Sequence, residues 1–145
     1  MNNPPSQSPE FSAARSAIES IVQRYARMAR DKVDFLDMVP LFTPDGQFEL
    51  PDGTPVPSNE IGRVVQGEEA QYIRHHLTTF DVEFTSESRA RVVSHFFAIT
   101  NEASPDHWGE WNDDFEKTPE GLWLIKYRRV IVDGAAPGGW LSRMY

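Results

Sequence analysis

Apolar residues are spaced differently in the two halves of the chain. Between residues 10 and 30 they recur three or four positions apart, which places them on one face of a helix. From Thr78 the period changes to two, because Phe80, Val82 and Phe84 alternate with charged residues, as expected of a strand with one buried face. The pattern therefore predicts an amphipathic helix at the start and strands in the second half.

Shorter elements are predicted between these two regions. Asp34 is placed to cap a short second helix, residues 47–50 alternate as a short strand, and residues 66–76 are expected to form a third helix. Further strands are expected at 89–101, 108–117 and 122–133, with a hairpin turn at 118–121 and an irregular tail from residue 134. Helices first and strands later predict an α+β fold with an antiparallel sheet.

The last predicted strand, residues 122–133, has apolar residues at both its odd-numbered and its even-numbered positions. A strand of this kind is covered on both faces. We expect helices around a pocket to cover one face and a second subunit to cover the other, which predicts a homodimer.

Length, charge and cysteine content narrow the function classes. A chain of 145 residues predicts one domain, residues 10–145, after a polar and disordered tail, residues 1–9. The absence of cysteine excludes disulfides and thiolate chemistry and suits a cytoplasmic location. A net charge of −8 argues against a nucleic-acid partner, and neither a signal peptide nor a membrane-spanning run is predicted.

Metal and cofactor sites are not expected either. The four histidines lack a metal-binding spacing, and no glycine-rich phosphate loop or nucleophile elbow is present. The expected partner is therefore a small molecule, bound without a cofactor.

Several short motifs together resemble a known family. They are the segment 25–35 (Tyr-Ala-Arg-Met-Ala-Arg-Asp-Lys-Val-Asp-Phe), Leu41-Phe42, Asp45-Gly46, the segment 74–79 (Arg-His-His-Leu-Thr-Thr), and Gly121-Leu122-Trp123 followed by Arg128-Arg129. In this combination the chain resembles the SnoaL-like and scytalone dehydratase-like branch of the nuclear transport factor 2-like superfamily. The resemblance implies a cystatin-like α+β roll, in which N-terminal helices and a curved antiparallel sheet form a cone-shaped pocket.

The resemblance also implies a catalytic pair. By position, Asp31 at the end of the first helix would orient His75 at the head of a strand. A neutral imidazole accepts a proton near pH 7, and a carboxylate on its other nitrogen fixes the tautomer and stabilises the imidazolium. His76 is the alternative to His75, since adjacent strand residues point to opposite faces.

Further side chains are candidates for contact with a substrate. Tyr25 would polarise a substrate oxygen or simply pack in the helix stripe, which is the interpretation we favour. His95 is a candidate second acid or a core residue. Trp111, which shares a strand parity with Asp113, would line the pocket. Of Arg128 and Arg129 one must face inward, and the family spacing favours Arg128 as a ligand for an anion.

These residues predict a cofactor-independent lyase or isomerase, dehydratase- or cyclase-like, that acts on a small apolar and cyclic molecule. Two alternatives stay open because fold alone does not determine function. One is a non-catalytic accessory subunit of the kind found in ring-hydroxylating dioxygenases. The other is a ligand-sequestering domain in which the Asp31 and His75 side chains are unpaired.

Overall fold

The computed structural model describes residues 9–29 and 34–145. These described residues form two α-helices, six strands and two 3₁₀ helices. The helices are α1 (Pro9–Met28), a first 3₁₀ helix (Phe35–Leu41), a second 3₁₀ helix (Ser58–Val64) and α2 (Trp140–Met144). The strands are β1 (Phe42–Glu49), β2 (Pro55–Pro57), β3 (Ile73–Ser86), β4 (Arg89–Thr100), β5 (His107–Lys117) and β6 (Trp123–Ala135).

The strands form one curved sheet in the order β2-β1-β6-β5-β4-β3. Strands β3 to β6 are joined as antiparallel neighbours, and β2 pairs antiparallel with β1. The pair formed by β1 and β6 is parallel. The predicted α+β class is therefore confirmed, with the correction that the sheet contains one parallel pair. Strands β2 to β5 separate β1 from β6 in the chain, so these two neighbours are not joined by a hairpin.

Helix α1 covers one face of the sheet with the apolar stripe read from the sequence. Ile18, Val22 and Tyr25 are buried in a common core with residues from all the long strands. Asp34 precedes the first 3₁₀ helix, and its Oδ1 accepts a hydrogen bond of 2.9 Å from the Leu36 N–H. This confirms the predicted cap of a short second helix.

Two expectations about secondary structure are wrong. Residues 66–76 do not form a helix: Ile73 already belongs to β3, and the nearest helical turn is the 3₁₀ helix at Ser58–Val64. The apolar spacing of Ala70 and Ile73 arises because both pack against the buried residues of α2. The tail expected to be irregular contains α2 itself, whose Trp140, Leu141 and Met144 are buried.

The strands predicted at 89–101, 108–117 and 122–133 agree with the structure to within two residues, whereas the strand predicted at 47–50 begins five residues earlier, at Phe42. The hairpin at 118–121 is confirmed. There the Thr118 carbonyl accepts from the Gly121 N–H at 2.8 Å, and Gly121 has the positive φ of +89° that favours glycine. The predicted tail, residues 1–9, lies outside the described residues except for Pro9, which begins α1. Among the described residues no helix has the length and apolarity required to cross a bilayer.

Candidate functional site

A cavity lies between the covered face of the sheet, the end of α1 and the C-terminal helix α2. Its volume is about 70 Å³, counted as the space open to the centres of water-sized molecules. Its wall is mostly aliphatic and aromatic, and the polar side chains on it are Tyr25, Glu69, His75 and His107. A cavity with a few polar groups in an apolar wall is typical of a small-molecule site.

His75 is the third residue of β3 and lines this cavity. Its ring packs against both Phe96 and Trp111, at centroid distances of 5.6 and 5.1 Å. The Nδ1 atom is buried and has no hydrogen-bond partner among residues 9–29 and 34–145. Burial, with smaller contributions from His107 and Arg128, lowers the pKa of His75 to about 3, so the ring is neutral at pH 7.

The neighbouring His76 points to the opposite face of the sheet. It is exposed and stacks on Phe97, with ring centroids 4.9 Å apart and an interplanar angle of 13°. Of the two adjacent histidines, the structure therefore brings His75 to the cavity.

Asp31 lies outside the described residues. The last described residue before it, Ala29, and the cavity residue that follows, Phe35, both line the cavity. The pairing of Asp31 with His75 stays a prediction.

Below the cavity lies a buried ion pair. Arg128 Nε and Nη2 donate to the two carboxylate oxygens of Asp113 at 2.8 and 2.7 Å, and both side chains are fully buried. The guanidinium carbon lies 4.1 Å from the ring centre of Tyr25 and 4.3 Å from that of Trp111. Arg128 is thus the inward arginine, but it lies under the two aromatic rings and is not part of the cavity wall. The expectation that it binds an anion in the pocket is wrong, because Asp113 already neutralises its charge.

The protonation states of Arg128, Asp113 and Tyr25 depend on their burial and on the contact between Arg128 and Asp113. Burial alone would lower the pKa of Arg128, but Asp113 raises it above its ordinary value. Burial raises the pKa of Asp113, and Arg128 opposes that rise. Because the two-pronged contact is the geometry of guanidinium with carboxylate, we assign the pair as ionised. Burial also raises the pKa of Tyr25 to about 12, so its phenol stays protonated.

His95 is not brought to the cavity. Ser94 and Phe96 on either side of it are buried, whereas the His95 side chain is 52% exposed on the other face. There its Nε2 lies 3.7 Å from Glu110 Oε2. The expectation that His95 lines the pocket is wrong because the inward positions of β4 are the even-numbered ones.

Sequence reasoning missed a second histidine of the site, His107 at the start of β5. It is buried, lines the cavity, and its Nδ1 lies 2.8 Å from Oδ1 of the buried Asp106. Its ring centre is 5.9 Å from that of His75. The sequence feature that could have identified it is the Asp106-His107 pair, which directly precedes the strand predicted at 108–117. Among the described residues, no three metal-ligating side chains come together.

Solved structures with the same fold carry different names. A scytalone dehydratase-like protein from Novosphingobium aromaticivorans has 20% identity and a TM-score of 0.70, over 90% of this chain and 93% of its own. The hexachlorocyclohexane dehydrochlorinase LinA-type3 from Novosphingobium barchaimii has 13% identity and a TM-score of 0.72, over 88% and 92%. Rv3472 from Mycobacterium tuberculosis, a protein of unknown function, has 22% identity and a TM-score of 0.70, over 90% and 89%.

At these low sequence identities the solved structures establish the fold alone, and the family is established by the match of a family model to the sequence. A comparison with curated proteins gives no match. The family model of the SnoaL-like domain matches residues 10–129, which is most of the chain. The protein therefore belongs to the SnoaL-like domain family, within the nuclear transport factor 2-like superfamily.

Proposed function

We propose that the protein is a cofactor-independent lyase or isomerase for a small, mostly apolar cyclic molecule. His75 is the base in this proposal, and Asp31 is the positioning residue that holds it. The observation that carries the proposal is the His75 ring in the cavity wall, whose buried Nδ1 has no partner among the described residues. Ala29 and Phe35, which flank Asp31 in the chain, both line the same cavity.

The pKa of His75 explains why the proposal needs Asp31. An imidazole with a pKa of about 3 is a weak base, and general bases work best when their pKa lies near the operating pH. A carboxylate within hydrogen-bond distance of Nδ1 would raise this pKa, because it stabilises the imidazolium. The same bond would direct Nε2, the other ring nitrogen, toward the ligand.

The rest of the cavity suits elimination or proton transfer at carbon. The apolar wall excludes bulk water, which strengthens every polar contact inside. His75 would take a proton from a ring carbon, and the C–H electron pair would form a double bond as the leaving group departs with its own pair. In an isomerisation the same proton would return to another carbon. The Tyr25 phenol, whose ring lies on the Arg128 guanidinium, would stabilise a negative oxygen or leaving group.

The experiment is an activity screen with three probes followed by matched variants. Hexachlorocyclohexane is assayed by chloride release, scytalone by dehydration, and a β,γ-unsaturated cyclohexenone by absorption of the conjugated product. For a probe that is turned over, we expect His75→Gln and Asp31→Asn each to lower kcat/KM by about 10²–10⁴-fold. His76→Gln is the control, because His76 lies on the opposite face of the sheet. Full activity in both His75→Gln and Asp31→Asn would refute the proposal.

One observation favours a second candidate, ligand binding without turnover. If Asp31 does not approach His75, the imidazole keeps its low pKa and removes protons poorly. The cavity would then sequester an apolar ligand. The pKa of His75, followed by proton–nitrogen correlation NMR, separates the candidates: a value near neutrality that falls in Asp31→Asn supports the enzyme, and a value that Asp31→Asn leaves unchanged supports the binding protein.

A further inference from the structure

Asp106 is a buried carboxylate that accepts four hydrogen bonds. The donors are the Thr100 hydroxyl at 2.9 Å, the His107 ring at 2.8 Å, and the backbone N–H groups of Trp140 and Leu141 at 2.7 and 3.1 Å. Burial alone would raise the pKa of Asp106, but these donors lower it below its ordinary value. Asp106 is therefore ionised, and it ties β4, β5 and α2 together at one end of the cavity.

An ionised carboxylate fixes the tautomer of the histidine beside it. Since Asp106 only accepts, the proton of the neutral His107 ring must be on Nδ1, and Nε2 carries a lone pair. Burial lowers the pKa of His107 even though Asp106 opposes the effect, so the ring is neutral at pH 7. No hydrogen bond among the described residues engages Nε2, and Nε2 is not one of their buried unpaired atoms.

His107 therefore presents a hydrogen-bond acceptor in a mostly apolar wall. The His107 and His75 rings meet edge to face, with centres 5.9 Å apart, and lie side by side on the cavity wall. A group on one small ring can thus meet His107 while a neighbouring carbon of the same ring meets His75.

We infer that His107 Nε2 is the subsite for a ligand hydroxyl, with Asp106 as its positioning residue, and that the ligand is a hydroxylated cyclic molecule of the phenol or enol type. The inference rests on the proposed function for the role of the cavity, and it adds the chemical class of the ligand. An acceptor without a donor in this wall would lose its hydrogen bond with water and gain nothing in return. The site is thus expected to favour an O–H group over an ether of the same shape.

The test is a binding measurement that requires no turnover. β-Naphthol and β-naphthyl methyl ether share a ring system, but only the first donates a hydrogen bond. By isothermal titration calorimetry we expect the wild-type protein to bind β-naphthol about tenfold more tightly than the ether. His107→Phe should remove this preference, and His76→Phe, a matched change on the opposite face, should keep it.

Asp106→Asn provides a readout that a purely structural role would not change. An asparagine nitrogen facing His107 would donate to Nδ1 and so move the ring proton to Nε2. Nε2 would then donate, and the ratio of the two affinities should fall to one or below. In case this variant does not fold, proton–nitrogen correlation NMR of the wild-type protein is the second measurement, and it should show His107 as the Nδ1–H tautomer.

Three results would overturn the inference: an Nε2–H tautomer in the wild-type protein, no preference of the wild-type protein for β-naphthol over the ether, or an unchanged preference in His107→Phe. Failure of the proposed function has a different signature. If no probe is turned over but the naphthol preference depends on His107, the enzyme proposal fails and the hydroxyl subsite stands. If His75 is essential for turnover but the preference is absent, only the subsite fails.

Discussion

Replacing Asp113 by Asn removes one charge from the buried pair beneath the cavity. Both side chains are fully buried, and Arg128 makes two hydrogen bonds to Asp113, at 2.8 and 2.7 Å. Asparagine keeps one acceptor but turns an amide nitrogen toward the other guanidinium donor. Breaking a buried pair from one side typically costs about 3–5 kcal/mol, because the remaining charge is uncompensated. The flanking Tyr25 and Trp111 rings still contact the cation, so we expect the lower part of this range.

Asp114→Asn is the matched control, one residue further along the same strand. Asp114 lies 3.6 Å from Arg91 and 3.5 Å from Arg129, and these three side chains are between 37% and 59% exposed. Exposed ion pairs of this kind contribute about 0–1 kcal/mol. The two variants carry the same chemical change, and they differ in the burial of the partner charge.

The assay is urea unfolding followed by tryptophan fluorescence, with four tryptophans in the chain as reporters. We expect Asp113→Asn to lower the midpoint strongly, since the unfolding free energy of a small domain is about 5–15 kcal/mol in total. The double change Asp113→Leu with Arg128→Met should recover most of the loss, because apolar residues of similar size often replace a buried pair without cost. If Asp113→Asn destabilises no more than Asp114→Asn, the argument from the buried charge is refuted.

Two further predictions concern stability. In an Asp31→Asn background, where no Asp31 carboxylate can raise it, the pKa of His75 should be about 3 in the folded protein and about 6.5 when unfolded, so the unfolded state binds the extra proton, and unfolding free energy should fall as pH drops from 6.5 toward 3. The slope in that window should flatten in His75→Gln and persist in His76→Gln, as read from urea midpoints across pH; an unchanged slope in His75→Gln contradicts the burial argument. Gly109→Ala places a Cβ 1.9 Å from a backbone carbonyl oxygen of β6, so we expect a loss of about 3 kcal/mol or more in thermal or urea unfolding. Gly62→Ala, with its nearest neighbouring atom at 4.0 Å, should be close to neutral, and equal effects would contradict the clash.

The long strands were predictable because their pattern is local. Alternation over ten or more residues placed β4 and β5 within one residue of their observed ends. The helix expected at 66–76 failed for the opposite reason. Its apolar residues are spaced by their contacts with α2, which follows more than sixty positions later in the chain.

The direction of a strand residue needed the tertiary structure. In β4, apolar or small residues occupy both the odd-numbered and the even-numbered positions around His95. Val93 and Phe97 on one face are as suited to burial as Ser94 and Phe96 on the other. No local rule chooses the buried set in such a strand. The helix above the sheet does so, because it covers one face and leaves His95 on the other.

The sequence by itself determined the α+β class, the covered face of α1, and the family motifs that carry Tyr25 and His75. Only the tertiary structure decided which groups meet in the cavity. Asp106 and His107 are adjacent in sequence, but their pairing is held by backbone donors 34 and 35 positions away on α2. Periodicity records which side of an element is buried, whereas the chemistry of a buried group depends on the partners that folding brings to it from distant parts of the chain.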